Sequence, residues 1–375
     1  MGFRIKISYF FQGGRLKRIE ENKPYAKEMF YGFHHFLNKY NNVSINEFDL
    51  NQSRIRRLFF IYIEKNMRSL LKLPLYWSFI VTKKHLTELK ESEYAIFSSN
   101  RIGCSVLPMV IYLKSKKQKI TTLSFVLGLF SRKPKFKIFI PIQSWYIKSF
   151  FKYIDKFIFL SQGEYEYALK HFPKYKNKYF LLPFAVDLEI WSNKENFQRE
   201  KNILFVGNDG FRDYELAEEL SKLLEDFNFV YVSENINESN LNNKNSDIKN
   251  GSWGEPYLTD IDLRSEYQKA FLTIIPLKNS LQPSGQSVTL QSIACGTPVL
   301  ITKTEGFWDK ESFIDNENIH FLKTNNPLLW KDKILNIFNM SDQDYENVSK
   351  NGRNLIVNNY SLDEFSQQIE EILLS

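Results

Sequence analysis

Between Pro283 and Val299 the chain reads PSGQSVTLQSIACGTPV, residue types that suit the binding of a phosphate. Ser284, Gly285, Gln286 and Ser287 are small or polar turn formers. From Val288 the apolar positions Val288, Leu290, Ile293 and Ala294 fit a short helix with one buried face and with Gln291 and Ser292 on its flank. Gly296 stops that helix, and Val299, Leu300 and Ile301 begin a buried strand. A glycine-containing loop that feeds a helix presents backbone N–H groups and a positive dipole end, a natural seat for a phosphate. The preceding strand, Phe271 to Pro276 (FLTIIP), delivers the loop to the carboxyl edge of a parallel sheet, where open α/β folds bind ligands.

Such a loop needs a frame, and the rest of the chain reads as one. A length of 375 residues exceeds one ordinary core and suits two units of somewhat under about 200 residues each. Arg4 to Phe10 is a first strand followed by a loop at Phe11 to Gly14, and Pro24 opens a helix over Tyr25 to Tyr40. Val43 to Phe48 alternates as a second strand. Ser53 to Leu73 carries Arg54, Arg56, Arg57, Lys65, Arg68 and Lys72 among apolar residues; it is either a core helix with snorkelling cations or one lying in a membrane interface. Tyr94 to Ser98 is a buried strand, and the loop Ser99 to Gly103 after it points Asn100 and Arg101 towards an interdomain cleft, Arg101 being a partner for an anion or a plain surface arginine. Ile111 to Phe125 passes from helix to strand, and Ser131 to Phe139 (SRKPKFKIF) is an exposed basic loop interrupted by Pro134.

Lys156 to Ser161, Glu164 to Phe172 and Tyr179 to Phe184 read as strand, helix and strand, with a hinge between Asp187 and Lys201. The second unit opens with Asn202 to Val206 (NILFV), the loop Gly207, Asn208, Asp209, Gly210, and a helix from about Arg212. Asn235 to Gly251 is expected as a mobile surface excursion and Ser265 to Ala270 as a short helix. Leu328 to Phe338, Asp342 to Val357 and Leu362 to Leu374 close the chain as helices.

Composition narrows the classes of function. Two cysteines, Cys104 and Cys295, in apolar contexts argue against a disulfide framework and for a reducing compartment. The five histidines include the pair His34 and His35 but no zinc-like spacing. The chain enters a strand at once, without a signal peptide, and has no run of about 18 apolar residues, so a cytoplasmic protein is expected. Charge is uneven: Met1 to Ala185 holds 33 Lys and Arg against 12 Asp and Glu, and the remainder 17 against 31. A basic half of this kind meets a polyanion or an anionic membrane surface. Lysine-rich codon usage is the bland alternative, but it would not make the second half acidic. No helix-turn-helix, RRM or zinc motif accompanies the basic half, so nucleic acid is not the expected partner.

ACGTPV after a loop and helix resembles the donor-binding segment of retaining glycosyltransferases of the two-Rossmann-domain (GT-B) type, in particular the large family four. PFAVD at Pro183 to Asp187 is similar to the PNGVD segment that closes the first domain there. The resemblance implies an α/β fold of two doubly wound, Rossmann-like domains facing across a cleft. Residues 1–187 would be basic and acceptor-binding, residues 188–360 acidic and nucleotide-sugar-binding, and the helix in 361–375 would pack back on the first domain.

That family carries two glutamates separated by seven residues, the first towards the donor sugar and the second towards the ribose. Alignment on ACGTPV puts Pro283 and Gln291 in their places, so the chain resembles a divergent subgroup with SGQS in this loop. Gln291 keeps an amide for a ribose hydroxyl, and sugar contacts fall to Lys278, Ser284 or Gln286. Glu305, in the loop Thr304 to Trp308, is the nearest acid to replace the missing first glutamate. Asn208 stands where the family has an arginine facing the diphosphate, and Arg212 falls close to the family's lysine. Arg212 either gives charge-assisted hydrogen bonds to phosphate oxygens or pairs with Asp213 or Glu215. Lys278 either aims at the diphosphate or sugar or is a solvated loop lysine, and Gly13-Gly14 either resembles the first domain's diphosphate loop or forms a plain turn.

The expected protein is a metal-independent, hexosyltransferase-type glycosyltransferase, retaining by resemblance. It would move sugar from a nucleoside diphosphate sugar to an acceptor hydroxyl on a surface-glycan or lipid-linked precursor for the cell envelope, at the cytoplasmic face of the membrane. Arg212 and Lys278 are the expected catalytic residues. The donor contacts are Gly13, Gly14, Gly207, Asn208, Ser284, Gly285, Gln286, Ser287, Gln291 and Glu305, with neither cofactor nor metal. The missing glutamates leave a second reading, a non-catalytic nucleotide-sugar or glycan-binding protein of the same fold.

Overall fold

Short apolar runs such as NILFV and LTII are buried on both faces, as strands of a helix-covered parallel sheet must be. The computed structural model describes residues 5–21, 23–49, 54–193, 200–241, 244–251 and 258–375, without the side chains of 54–59. Arg4, Ser53, the side chains of Arg54, Arg56 and Arg57, and residues 194–199 of the expected hinge therefore lie outside the described residues. The chain divides into two compact units, one of Met1–Lys23, Phe30–Pro183 and Phe365–Ser375, the other of Pro24–Met29 and Phe184–Glu364.

The first unit holds strands β1 (Lys6–Phe10), β2 (Asn42–Asn46), β3 (Tyr94–Phe97), β4 (Thr121–Val126), β5 (Lys156–Phe159) and β6 (Tyr179–Leu181) in one parallel sheet, order β2-β1-β3-β4-β5-β6. The second holds β7 (Asn202–Val206), β8 (Asn228–Val232), β9 (Ser246–Lys249), β10 (Leu272–Ile275), β11 (Val299–Thr302) and β12 (His320–Leu322), order β12-β11-β10-β7-β8-β9, again all parallel. Both are doubly wound Rossmann-like sheets. In the second, the winding reverses between β7 and β10, and ligands of such sheets bind at that switch point.

Several expectations are corrected by local chemistry. The helix expected over Tyr25 to Tyr40 is a 3-10 turn, Glu28–Phe30, and a helix, Phe33–Lys39, separated by Tyr31 and Gly32 at φ 53° and 81°. A Cβ at Gly32 would also come within 3.3 Å of Ile369 Cδ1. A helix, Arg15–Glu20, occupies part of the interval assigned to no element. The expected loop Ser99 to Gly103 is the start of a helix, Asn100–Ser115, capped by the Ser99 hydroxyl. Asn100 is buried and accepts from the Leu127 N–H at 2.8 Å, and Arg101 donates to Gln12 at 2.6 Å. Within Asn235 to Gly251, read as a surface excursion, residues 246–249 form β9; 242 and 243 lie outside the described residues.

The helix Arg54–Leu71 is tied to the segment after it: Ser78 donates through N–H and Oγ to buried Glu64, and Arg68 donates to the Leu75 carbonyl and lies 4.4 Å from the Tyr76 ring centre. The last helix, Leu362–Leu374, gives the first unit Phe365, Ile369 and Leu373 as core residues. On that helix Glu370, nearly buried, accepts from His35 at 2.8 Å, from Lys39 at 2.9 Å and from the Tyr40 hydroxyl. Among the described residues no helix is long and apolar enough to cross a membrane.

Candidate anion-binding site

Two loops leave the carboxyl ends of the neighbouring strands β7 and β10, and backbone pairing zips them together. Asp213 N–H donates to Pro276 O at 2.9 Å, Lys278 N–H to Phe211 O at 2.8 Å, and Arg212 and Leu277 form an isolated antiparallel bridge. That pairing holds Arg212 against the loop before the helix Gln286–Ala294, whose N-cap is Gly285 at φ 82°. A Cβ at Gly285 would lie 3.4 Å from Arg212 Nη1 and 2.9 Å from Ile275 Cγ2; one at Gly207, φ 145°, would lie 2.4 Å from Arg212 Nε. Both positions need glycine for conformation and for space.

Arg212 is 3% exposed, so its charge is held away from water. Its Nε donates to Val206 O at 3.3 Å. Nη1 stands 3.0 Å from Asp209 Oδ2, an ion pair without a hydrogen bond, which leaves that buried nitrogen with no hydrogen-bond acceptor. The partner expected among Asp213 and Glu215 is therefore Asp209; Asp213 instead caps the helix Tyr214–Leu223 and accepts from Asn325 at 2.7 Å. Next to Gly285, the buried hydroxyl of Ser284 has no hydrogen-bond partner either, nor has Thr289 Oγ1 one turn on. Buried polar groups are ordinarily paired. A guanidinium and a hydroxyl in that state at a helix N-terminus form a site complementary to a phosphate oxygen.

Other expected donor contacts divide. Gln286 is buried and Ser287 half-buried in the first turn of that helix. Lys278 and Glu305 are exposed on loops joined by two bonds between Asn279 and Glu305, at 3.1 and 3.0 Å. Asn208 is spent elsewhere: it donates to Gly251 O at 2.8 Å and accepts from Ser233 Oγ at 3.0 Å and Glu234 N–H at 2.8 Å, bracing the loops after β7, β8 and β9. Gly14 caps the short helix Arg15–Glu20 at φ 84°, and the Arg15 and Leu16 N–H groups donate to Glu47 at 2.5 and 3.2 Å. A carboxylate thus already occupies the helix end beside Gly13-Gly14.

Gln291 belongs to a buried chain that sequence reasoning missed. Its Nε2 donates to Glu28 Oε1 at 3.0 Å, its Oε1 accepts from the Tyr267 hydroxyl at 3.2 Å, and Trp191 Nε1 donates to the same Glu28 oxygen at 2.7 Å. Glu28 Oε2 has no hydrogen-bond partner, and burial pushes the Glu28 carboxyl up to about 7 against hydrogen bonds that favour the anion. The one signal in the sequence was an acid inside the apolar run EMFYGF.

For an acid whose folded value is raised, the stability contribution is complete below the unfolded value near 4.5 and is lost as pH rises through about 7. Glu28→Gln keeps an acceptor for both donors and removes the ionisation. Urea unfolding at pH 8 should find this variant more stable than the native protein, by up to roughly 3 kcal/mol, with the difference shrinking towards pH 5. Equal stability across that range would mean that the carboxyl titrates normally.

Among the described residues no group of three or more His, Cys, Asp or Glu is placed to hold a metal ion. Two doubly wound units in one chain, with solved structures of like architecture, give the fold of the GT-B glycosyltransferases. Sucrose-phosphate synthase (tll1590) from Thermosynechococcus elongatus is similar over 98% of this chain and 98% of its own, with TM-score 0.70 and 14% identity. Anabaena Alr3699/HepE, solved in complex with UDP and glucose, is similar over 99% of this chain and 100% of its own, with TM-score 0.67 and 12% identity. S. aureus TarM is similar over 76% of this chain but 55% of its own length, with TM-score 0.60 and 16% identity. No protein-family model matches the sequence, and no curated protein matches it.

Proposed function

We propose that the protein is a glycosyltransferase that uses a nucleoside diphosphate sugar, bound through its diphosphate at Arg212 and the N-terminus of the helix Gln286–Ala294. The observation that carries this reading is the buried guanidinium of Arg212, ion-paired to Asp209 but with Nη1 making no hydrogen bond, beside the Gly285 cap at a topological switch point. The fold shared with glycosyltransferases supports it, as does the complex of HepE with UDP-glucose.

In the proposed reaction the acceptor hydroxyl bonds to the anomeric carbon on the face from which the diphosphate departs, the bond from that carbon to the diphosphate oxygen breaks, and the hydroxyl proton passes to the leaving diphosphate oxygen. Arg212 and the helix dipole stabilise the negative charge arriving on the leaving diphosphate. Ser284 supplies a hydroxyl to a phosphate or sugar oxygen, and Lys278 and Glu305, on the exposed rim, reach the sugar. Gln291, as expected from the resemblance, contacts the ribose after exchanging its bond to Glu28. Protein cations take the place of a metal, retention is inferred from the resemblance, and the acceptor, a lipid-linked or surface-glycan precursor, is assigned to the basic first unit.

Thermal unfolding with UDP, GDP and ADP tests the donor half of this proposal. The matching nucleotide held at about 100 times its dissociation constant should add about 2.7 kcal/mol of stability, and the corresponding nucleoside much less. No response to any diphosphate would refute the site. Binding with no release of nucleotide from any donor sugar, with acceptor glycolipids present, would assign the protein to the non-catalytic class.

A further inference from the structure

One stretch of the first unit is apolar on its outer side. Phe136, Ile138, Ile140, Ile142 and Trp145 are all exposed within ten residues, Ile138 to 76% and Trp145 to 65%. Contiguous exposed apolar side chains mark interaction surfaces, whereas isolated ones are ordinary. Lys137–Phe139 is a 3-10 turn, and the helix Ile140–Tyr153 that follows buries Tyr146, Ile147, Phe150 and Phe151. Helical periodicity turns Ile142 and Trp145 away from that buried face.

The base of the stretch is rigidly held. Gly128, at φ 81°, and Phe130 donate their N–H groups to the buried Glu164 carboxylate at 2.7 and 3.3 Å, and Gln143 donates to Leu71 O and Arg132 O at 2.9 and 3.1 Å. The apolar tips are thus presented by an ordered scaffold.

The exposed charge along this part of the chain has one sign. Arg132, Lys133, Lys135, Lys137, Lys148 and Lys152 are exposed, and between Glu93 and Asp155 the chain has eleven Lys and Arg and no acidic residue. Beside the stretch a cavity of about 220 Å³ is lined by Arg132, Lys133, Lys148 and His171 over a floor that includes Phe130 and Ile147. Apolar tips with a tryptophan among them, interleaved with exposed cations, complement a surface that is oily below and uniformly anionic above.

We infer that residues 132–148 dock the protein on a membrane containing anionic phospholipid. Phe136, Ile138, Ile142 and Trp145 enter the boundary between headgroups and acyl chains, and the lysines with the cationic cavity take lipid phosphates. The inference rests on the surface of the first unit and is independent of the donor site.

Flotation of the full chain with vesicles of phosphatidylcholine, alone or mixed with phosphatidylglycerol, tests it. The protein should float with the mixed vesicles only and be largely released near roughly 0.5 M salt. Lys133→Glu, Lys135→Glu and Lys137→Glu combined should weaken binding on the order of 100-fold or more, at about fivefold for each cation lost. Ile138→Ser with Trp145→Ser should weaken it further while leaving the salt dependence in place. Quenching of tryptophan fluorescence by brominated acyl chains should disappear in Trp145→Phe. All these side chains are exposed, so the thermal transition should not move. Failure to float with mixed vesicles, equal flotation with neutral ones, or variants that float and are quenched like the native chain would each overturn the inference, whatever the nucleotide experiments show.

Discussion

Arg212→Ala should lower nucleotide release from the matching donor sugar by about two to three orders of magnitude in kcat/KM, the usual cost of removing a preorganised group that stabilises developing negative charge. The geometry makes the expectation specific. The guanidinium is 3% exposed, lies against Gly207 and Gly285, and leaves Nη1 unbonded although an aspartate is 3.0 Å away. A low-dielectric position strengthens its attraction for a diphosphate. Arg212→Lys keeps the charge but loses the fork of donors, so it should recover only part of the loss. Calorimetric titration separates this role from a purely structural one. Affinity for the nucleoside diphosphate should fall in both variants while affinity for the nucleoside is unchanged. A parallel loss of both would mean that Arg212 merely holds the loops, through Asp209 and the Val206 carbonyl.

Glu370→Gln should destabilise the first unit by on the order of 3 kcal/mol at pH 7. Burial alone would raise the Glu370 carboxyl, but the bonds from Lys39, Tyr40 and His35 outweigh it and hold the group down at about 2. For an acid whose folded value is depressed, the stabilisation is complete above the unfolded value near 4.5 and is lost as pH falls towards 2. A glutamine still meets the hydroxyl and amine donors but carries no charge for Lys39. For a unit of this size the loss corresponds to about 6 to 12 °C in the unfolding midpoint. Scans at pH 7 and near pH 2.5 should show the gap between native and variant protein closing on acidification. A gap that is absent at pH 7, or unchanged at low pH, would show that the charge of Glu370 does not hold the last helix.

Much of the frame was legible because it rests on local pattern. Asn202–Val206 and Tyr94–Phe97 are apolar runs with no competing period, and they are strands where the sequence places them. The helix Leu362–Leu374 keeps one apolar stripe and a polar remainder, and Pro327–Phe338 buries Trp330, Ile334 and Ile337 at helical spacing. Elements whose support is tertiary were missed. β9, with the sequence SDIK, has no apolar signature and exists because β8 offers it a free edge. The break at Tyr31-Gly32 interrupts a run with good helical spacing because the helix carrying Ser366 and Ile369 needs the space a side chain would fill.

The candidate site divides in the same way. The residues that make Gly285 a helix cap and Arg212 a cation within one loop of β7 are neighbours in sequence, and the sequence alone determined two α/β units with a glycine-opened helix suited to phosphate. Which acid Arg212 meets, the bracing of Asn208, the filling of the first helix end by Glu47 and the burial of Glu28 against Gln291 were decided by tertiary structure alone. The physical reason is that hydrogen-bond partners and desolvation depend on distances across the fold, and Glu28 and Gln291 stand 263 positions apart in a chain whose local pattern carries no record of their meeting.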